Sequence, residues 1–217
     1  MPPRDPEATK ARIFDAATQE FAAYGIAGAR VDRIARNAQA NKQLIYAYFG
    51  DKEQLFHQVL EKAMVHVADS VSTDIDDLDK WVDQHIDYHR AHPEFLRLLM
   101  WEALELGQEG ASAGETRTAR YQDKKVKVDS AQQRGLIRAD LPPGHVLMLL
   151  MSLINYPAAV PQVRGFLLGP DGDPGRARSV IKEAVRRLAA PAESAAEGDL
   201  TTSAETAAKG DPAAGIH

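Results

Sequence analysis

The sequence predicts an all-α protein in two parts: an N-terminal three-helix domain built on a helix-turn-helix, residues 1–52, and a C-terminal helical domain, residues 53–190. Three observations carry the prediction. Between positions 31 and 56 two short amphipathic segments meet across a few residues and a third begins at once, which is helix-turn-helix spacing. Downstream, apolar residues recur at helical intervals and are punctuated by Asp51, Pro93, Gly107 and Gly135, residues that start or stop helices. The run VLMLLMSLINY at 146–156 is apolar nearly all round, as a helix buried on two sides is. From Pro191 onward the Ala, Glu, Ser and Gly composition reads as a disordered acidic tail, 191–217.

The opening helix, from about Pro6 or Thr9 to Tyr24, aligns Ile13, Ala17, Phe21 and Tyr24 in one stripe and stops at Gly25. In the second, Val31, Ile34, Ala35 and Ala38 sit at i, i+3, i+4 and i+7 and share one face. The turn falls at 39–41, where the Asn41 side chain can accept an orphan backbone N–H of the third helix, Lys42 to about Tyr48. Asp51 then opens a longer helix, with Gln54 completing a capping box. That helix continues to near Ser70, long enough to belong to both domains.

After TDIDDLD, which lacks the glycine and terminal Glu of a calcium loop and reads as a helix-start acid cluster, Leu78, Trp81, Val82 and Ile86 repeat at helical spacing. His92-Pro93 breaks that helix, and Pro93 fits the first turn of the next, which ends at Gly107. A Gly/Ser loop precedes a polar helix from about Thr116 to Arg134. Then come the apolar helix, Pro143 to about Pro157, a linker at 169–175, and a last helix, about Asp173 to Ala190, striped by Ala177, Ile181, Ala184 and Leu188. The apolar helix is too short for a bilayer, which needs about 20 residues, so the domain core takes one side and a partner chain the other. The alternative is that both of these helices pack within a monomer.

The third helix has a readable outer face. At about 100° per residue, Ile45 and Phe49 turn inward while Gln43 and Ala47 point the opposite way, flanked by Leu44 and Tyr46. An amide can pair with adenine, apolar groups can meet a thymine methyl, and Lys42 with the phenols of Tyr46 and Tyr48 can reach phosphates. Lys52, in the first turn of the following helix, is a ready phosphate anchor. Helix-turn-helix geometry also occurs as plain packing, and the pattern alone leaves both readings open.

Residues 9–60 closely resemble the DNA-binding domain of the tetracycline-repressor-like (TetR) family. The matching residues are Ile13, Ala16, Ala17, Phe21 and Gly25, then Val31, Ile34, Ala35, Lys42, Tyr46, Phe49, Lys52, Leu55 and Phe56. The resemblance implies that Lys42, Tyr46 and Lys52 grip the phosphate backbone, and that Gln43 and Leu44 occupy the variable positions where sequence is read. It further implies a transcriptional regulator, a repressor released by a small molecule, that dimerises through helices 143–157 and 173–190 and meets a palindromic double-stranded operator. This chain departs from the family pattern in three places. Gln39-Ala40-Asn41 replaces Gly-Val-Ser in the turn, so Gln39 would take a left-handed conformation at a cost of about 1 kcal/mol relative to glycine. Ala29-Arg30 replaces a hydroxyl pair, losing a cap worth roughly 1 kcal/mol, while Arg30 offers a charge-assisted phosphate contact instead. Gln43-Leu44 stands where a small residue and Thr are usual, a change of operator preference.

Composition fits such a regulator. The chain has 217 residues, 44% hydrophobic, with a formal net charge of -5. A dedicated nucleic-acid binder is often basic overall, but here Arg30, Arg33, Arg36, Lys42 and Lys52 crowd the proposed DNA face while acids collect elsewhere. With no cysteine there is no disulfide, thiolate metal site or thiol redox sensor. MPPRDPEATKAR holds no apolar run, so neither a signal peptide nor a membrane span opens the chain and a cytoplasmic location is expected.

For the larger domain, Trp81, His85, Tyr88, Met100, Trp101, Glu102, Tyr121, Met151 and Asn155 are candidates for an effector pocket, being aromatic, sulfur-bearing or isolated polar groups on apolar helices. Glu102 and Asn155 stand out because a buried carboxylate or amide needs a partner. The same residues would also serve as ordinary core. His85 and His89 lie i, i+4, but no clear third ligand accompanies them, so no metal is expected, and no cofactor motif appears. No nucleophile elbow, phosphate-cradling loop, zinc-protease helix or paired-carboxylate pattern occurs, which argues against an enzyme. The remaining alternative is a helical ligand- or partner-binding protein whose DNA role is lost or secondary.

Overall fold

A computed structural model describes residues 5–111, 114–169 and 173–191. The acidic tail expected from position 191 falls, Pro191 apart, outside the described residues. Among these, ten helices follow one another: α1 Pro6–Gly28, α2 Val31–Asn37, α3 Lys42–Phe49, α4 Lys52–Ser70, α5 Leu78–Ala91, α6 Pro93–Glu105, α7 Gly114–Gln133, α8 Pro143–Ala159, α9 Pro161–Leu168 and α10 Pro174–Ala189.

The first apolar core forms where α1 to α4 meet. Ile13, Ala17, Phe21, Ile34, Ile45, Leu55 and Phe56 are fully or almost fully buried there, and Phe14 meets Phe49 edge-on, as Phe21 does Phe56. This core does not stop at the helix-turn-helix, because Phe95, Leu96 and Leu98 of α6 belong to the same cluster. A second core gathers Trp81 and Val82 of α5, Val128 and Ala131 of α7, Val146, Leu150 and Ile154 of α8, and Val185 and Ala189 of α10. α4, rooted in the first core through Leu55, Phe56, Val59 and Leu60, continues beside the second domain, as its length predicts.

Three details differ from the sequence reading. Tyr24 does not join the inward stripe of α1 but is half exposed. Gly25 breaks the helix with φ 70 and ψ -173, so the stripe loses its register one residue after Tyr24. The Arg33 guanidinium covers the Tyr24 ring, 4.1 Å from its centroid. Second, α8 runs through Pro157 to Ala159, since a proline in the last turn forfeits only one ladder bond. Third, an unforeseen helix, α9, follows at an 83° bend. Its Phe166 and Leu167 lie 90% and 77% exposed, and Met148, Tyr156 and Val180 of the adjoining helices are also exposed.

α10 meets α5 through a ladder of charge beside the second core, which Val185 and Ala189 share with Trp81 and Val82. Asp79, Asp83 and Asp87 recur every four residues on α5 and face Arg186, Lys182 and Arg178 on α10, with Arg186 to Asp79 at 2.6 Å and Lys182 to Asp83 at 2.6 Å. Arg178 bridges Asp83 and Asp87. Among the described residues no single helix is long and apolar enough to cross a membrane.

Candidate nucleic-acid interface and ligand cavity

The turn between α2 and α3 closes without the usual glycine. Gln39 takes φ 50, left-handed and rare for a residue with a Cβ. Ala40 N donates to Ala35 O at 2.9 Å and Gln39 N to Arg36 O at 3.1 Å, the paired bonds of a Schellman stop. The Arg12 Nε reaches across from α1 to the Ala38 carbonyl, 3.1 Å away. Asn41 then caps α3, its Oδ1 accepting from Gln43 N at 2.9 Å, and the Asp51/Gln54 capping box opens α4. The departures of sequence therefore leave the turn intact.

α3 buries Ile45 and Phe49 and exposes Gln43, Tyr46 and Ala47, with Leu44 and Tyr48 half-buried at the edges. Lys42 Nζ lies 2.9 Å from Asp32 Oδ1, and this hydrogen bond raises the ammonium above its ordinary range. Lys52 Nζ donates to the carbonyls of Ala27 and Ala29, both at 3.2 Å, so it ties the start of α4 to the strip of chain before α2 and keeps one N–H for a phosphate. Arg30 and Arg36 point to solvent. Arg33 does not: it turns back onto Glu20, with Nε 2.7 Å from Oε2 and a guanidinium nitrogen 2.6 Å from Oε1. Glu20 also accepts from Arg30 N at 2.8 Å. Burial alone would raise the Glu20 carboxyl, but the bonds from Arg33 and the Arg30 amide outweigh it and hold the group below its usual range. The expected crowd of arginines on the outer face thus loses one member to the inside. Arg12 and Glu20, which build the motif, were missed in the sequence because their partners lie beyond their own helix.

A cavity of about 450 Å³ opens between α4, α5, α6, α7 and α8. Its wall brings together His85, Tyr121, Met151 and Asn155 from the sequence candidates, and Met64 and Val67 of α4, Phe95 and Leu99 of α6, and Arg117, Arg120 and Lys124 of α7. A more open groove of about 710 Å³ adjoins it, sharing Leu99, Tyr121, Met151 and Asn155 and adding Met100. The other candidates lie elsewhere. Trp81 packs in the second core. Tyr88 packs in the first, its hydroxyl 3.2 Å from His66 Nδ1, and burial pushes that phenol up to about 12. Trp101 donates to Ala22 O on α1 at 3.3 Å. Glu102 is buried and pairs with Arg117 of the cavity wall, 2.5 Å away.

Polar groups in the cavity are only partly satisfied. His85 Nδ1 pairs with the Trp81 carbonyl at 2.8 Å, and burial lowers the imidazole to about 4. His89 Nε2 pairs with Asn155 Oδ1 at 2.8 Å, and burial again favours the neutral ring. His89 Nδ1 is buried with no hydrogen-bond partner among the described residues. Lys124 stands over the Tyr121 ring at 5.7 Å, and burial, then the charge of Arg120, lowers it. Arg120 and Lys124 went unrecognised because a basic polar helix reads as a solvated face. Among the described residues no three metal-ligating side chains converge.

Known proteins share this arrangement. Residues 13–59 match the description "Bacterial regulatory proteins, tetR family", and residues 77–187 match "Tetracyclin repressor-like, C-terminal domain". The chain is 50% identical over 190 residues to the HTH-type transcriptional repressor SCO4008 of Streptomyces coelicolor, covering 87% of this chain and 98% of that one. It is 30% identical to the HTH-type transcriptional repressor NicS of Pseudomonas putida over 68% of this chain and 74% of the relative. Among solved structures, the Streptomyces coelicolor regulator SCO4942 superposes with a TM-score of 0.75 at 32% identity, covering 83% of this chain and 98% of that one. With residues 13–59 and 77–187 both matched and a relative half identical over 87% of the chain, this chain belongs to the TetR family of bacterial regulatory proteins.

Proposed function

We propose that this DNA-binding transcriptional regulator is a repressor that sits on a palindromic operator as a homodimer and leaves it when a small, largely apolar molecule enters the cavity between α4 and α8. The observation that carries the proposal is the outer face of α3: Gln43, Tyr46 and Ala47 are exposed on a helix whose inner face is fully engaged. Lys42, Tyr46, Lys52 and Arg30 supply the phosphate grip, Gln43, Leu44 and Ala47 the base contacts, and Tyr48 the flank. The names of the relatives SCO4008 and NicS, both repressors, support the sign of regulation. Dimerisation is supported by the exposed apolar side chains Met148, Tyr156, Phe166, Leu167 and Val180 across α8, α9 and α10, because apolar surface of this kind marks a protein contact. Two recognition helices are also what half-sites about one helical turn apart demand.

α4 provides the coupling. It carries Lys52 at one end and Met64, Val67 and Ala68 on the cavity wall at the other. A ligand that displaces this wall shifts α4 and spoils the match to the operator, so ligand and DNA oppose each other reciprocally. His89 and Asn155 are the polar anchors. The protein acts in the cytoplasm, performs no catalysis of its own and needs no cofactor or metal. Selection of bound duplexes from a random pool tests the reading: a palindrome with adenine or thymine opposite Gln43 is expected. Failure to enrich any sequence removes the proposal, and half-sites with only G and C at the core remove the assignment of Gln43.

A further inference from the structure

We infer that Glu105, with Arg97 and Trp101, is a specificity-determining clamp that fixes the angle of the helix-turn-helix and so sets which half-site spacing the dimer accepts. The three residues recur at i, i+4 and i+8 along α6, and all three hold the end of α1. On one side of the Gly25 break, the Ala22 carbonyl accepts from Arg97 Nε at 2.6 Å and from Trp101 Nε1 at 3.3 Å. On the other side, Glu105 accepts from Ile26 N at 3.0 Å and from Ala27 N at 2.7 Å. Side chains of α6 thus replace helical partners where α1 is interrupted, and a helix break without such partners leaves its polar groups unmet.

The same side chains close over Gly25. A Cβ on Gly25 would stand 2.2 Å from Glu105 Oε1 and 2.7 Å from Trp101, so both the positive φ and the clamp require glycine here. The clamped strip is also held from behind, since Lys52 binds the Ala27 and Ala29 carbonyls. Ile26 to Ala29 is therefore pinned by an acid from α6 on its N–H groups and by a base from α4 on its carbonyls. Arg30 and α2 follow directly, so the strip sets the entry of the DNA-reading pair. α6 is also a cavity wall, through Phe95 and Leu99 and through the Glu102–Arg117 pair. The clamp is where that wall meets the DNA-binding domain.

The inference rests on the operator-binding reading, and two measurements separate their failures. In the full-length, DNA-free protein, Glu105→Gln turns an N–H of its own toward one of the two backbone donors. Hydrogen exchange at Ile26 and Ala27 should then accelerate roughly tenfold, the scale of a lost charge-assisted bond, while exchange at the second core, around Val146 and Leu150, stays unchanged. With the selected operator and versions carrying one base pair more or fewer between half-sites, the wild type should discriminate by roughly tenfold or more. Glu105→Gln should narrow that ratio to about twofold, and Trp101→Phe, which keeps the ring and loses the donor, should fall between. Unchanged exchange at both amides, or unchanged spacing discrimination by Glu105→Gln, overturns the inference. If the wild type binds no operator at all, the functional reading fails and the exchange experiment alone decides the clamp.

Discussion

The helix-turn-helix and the ligand cavity treat their polar groups in opposite ways. Around α2 and α3 the charged side chains are held by protein partners: Arg33 by Glu20, Lys52 by two carbonyls and Arg12 by a third, and on the outer face Lys42 by Asp32. In the cavity, His89 Nδ1 has no hydrogen-bond partner among the described residues, and Lys124 is lowered by burial and by the charges of Arg120 and Lys127. A surface that must match a rigid duplex gains from being set in advance, because ordering it on binding would cost affinity. A cavity gains from unmet groups, because a ligand that satisfies them is rewarded. The contrast separates a prearranged reader from a site waiting for its occupant.

Glu20→Ala is the strongest test of the first half. It removes the acceptor of the Arg30 amide and of Arg33, whose side chain is a third exposed and can turn to water, and loss of these charge-assisted bonds costs about 2 to 3 kcal/mol. Denaturant unfolding should show that loss; a change under about 1 kcal/mol would mean the Glu20 contacts do not hold the reader together.

Acid tests the second half. His85 is lowered to about 4 and His89 in the same direction, both by burial, against an unfolded value near 6.5. Between those values the unfolded chain binds protons that the folded one refuses. Stability is therefore full above pH 6.5 and falls as pH drops toward about 4, by up to about 3 kcal/mol for His85. Urea midpoints at pH 7 and pH 4.5 measure this, and His85→Gln should flatten the difference. A flat wild-type profile would show imidazoles already open to water.

Gln39→Gly gives the smallest effect. Relief of the left-handed backbone at φ 50 should raise stability by about 1 kcal/mol, read as a higher melting temperature with operator affinity unchanged. Lower stability would show that the Gln39 side chain supports the turn in some way beyond its backbone.

The same contrast explains what could be read from sequence. The helix-turn-helix was legible because its signals are local: Asn41 and Asp51 cap within three residues of themselves, and the apolar face of α2 repeats within one short helix. Even the positive φ of Gln39 followed from a substitution at a known turn. Arg33 was misplaced because its choice between solvent and Glu20 depends on how α1 crosses α2, which spacing does not encode. The cavity was less legible for the same reason. Met64 and Val67 look like ordinary helix, and Arg120 and Lys124 like a wet face, until five helices converge on them. Trp81 and Trp101 carry the right chemistry for a pocket but face the second core and α1. α9 escaped notice because its eight residues begin at a proline, include Gly165 and lie in a stretch without strong periodicity.

The ladder between α5 and α10 bears on how operator binding is measured. Its Arg186–Asp79 rung lies at the surface and its Asp83 rungs are part-buried; at the surface the screening length shrinks from about 10 Å at 0.1 M salt to about 3 Å at 1 M. The apolar contacts of Val185 and Ala189 do not weaken in that way. A salt titration of operator affinity, ordinarily read as a count of neutralised phosphates, is therefore expected to weaken this ladder at the same time. Following α10 by a label on that helix, at each ionic strength and without DNA, gives the correction that turns the slope back into a count.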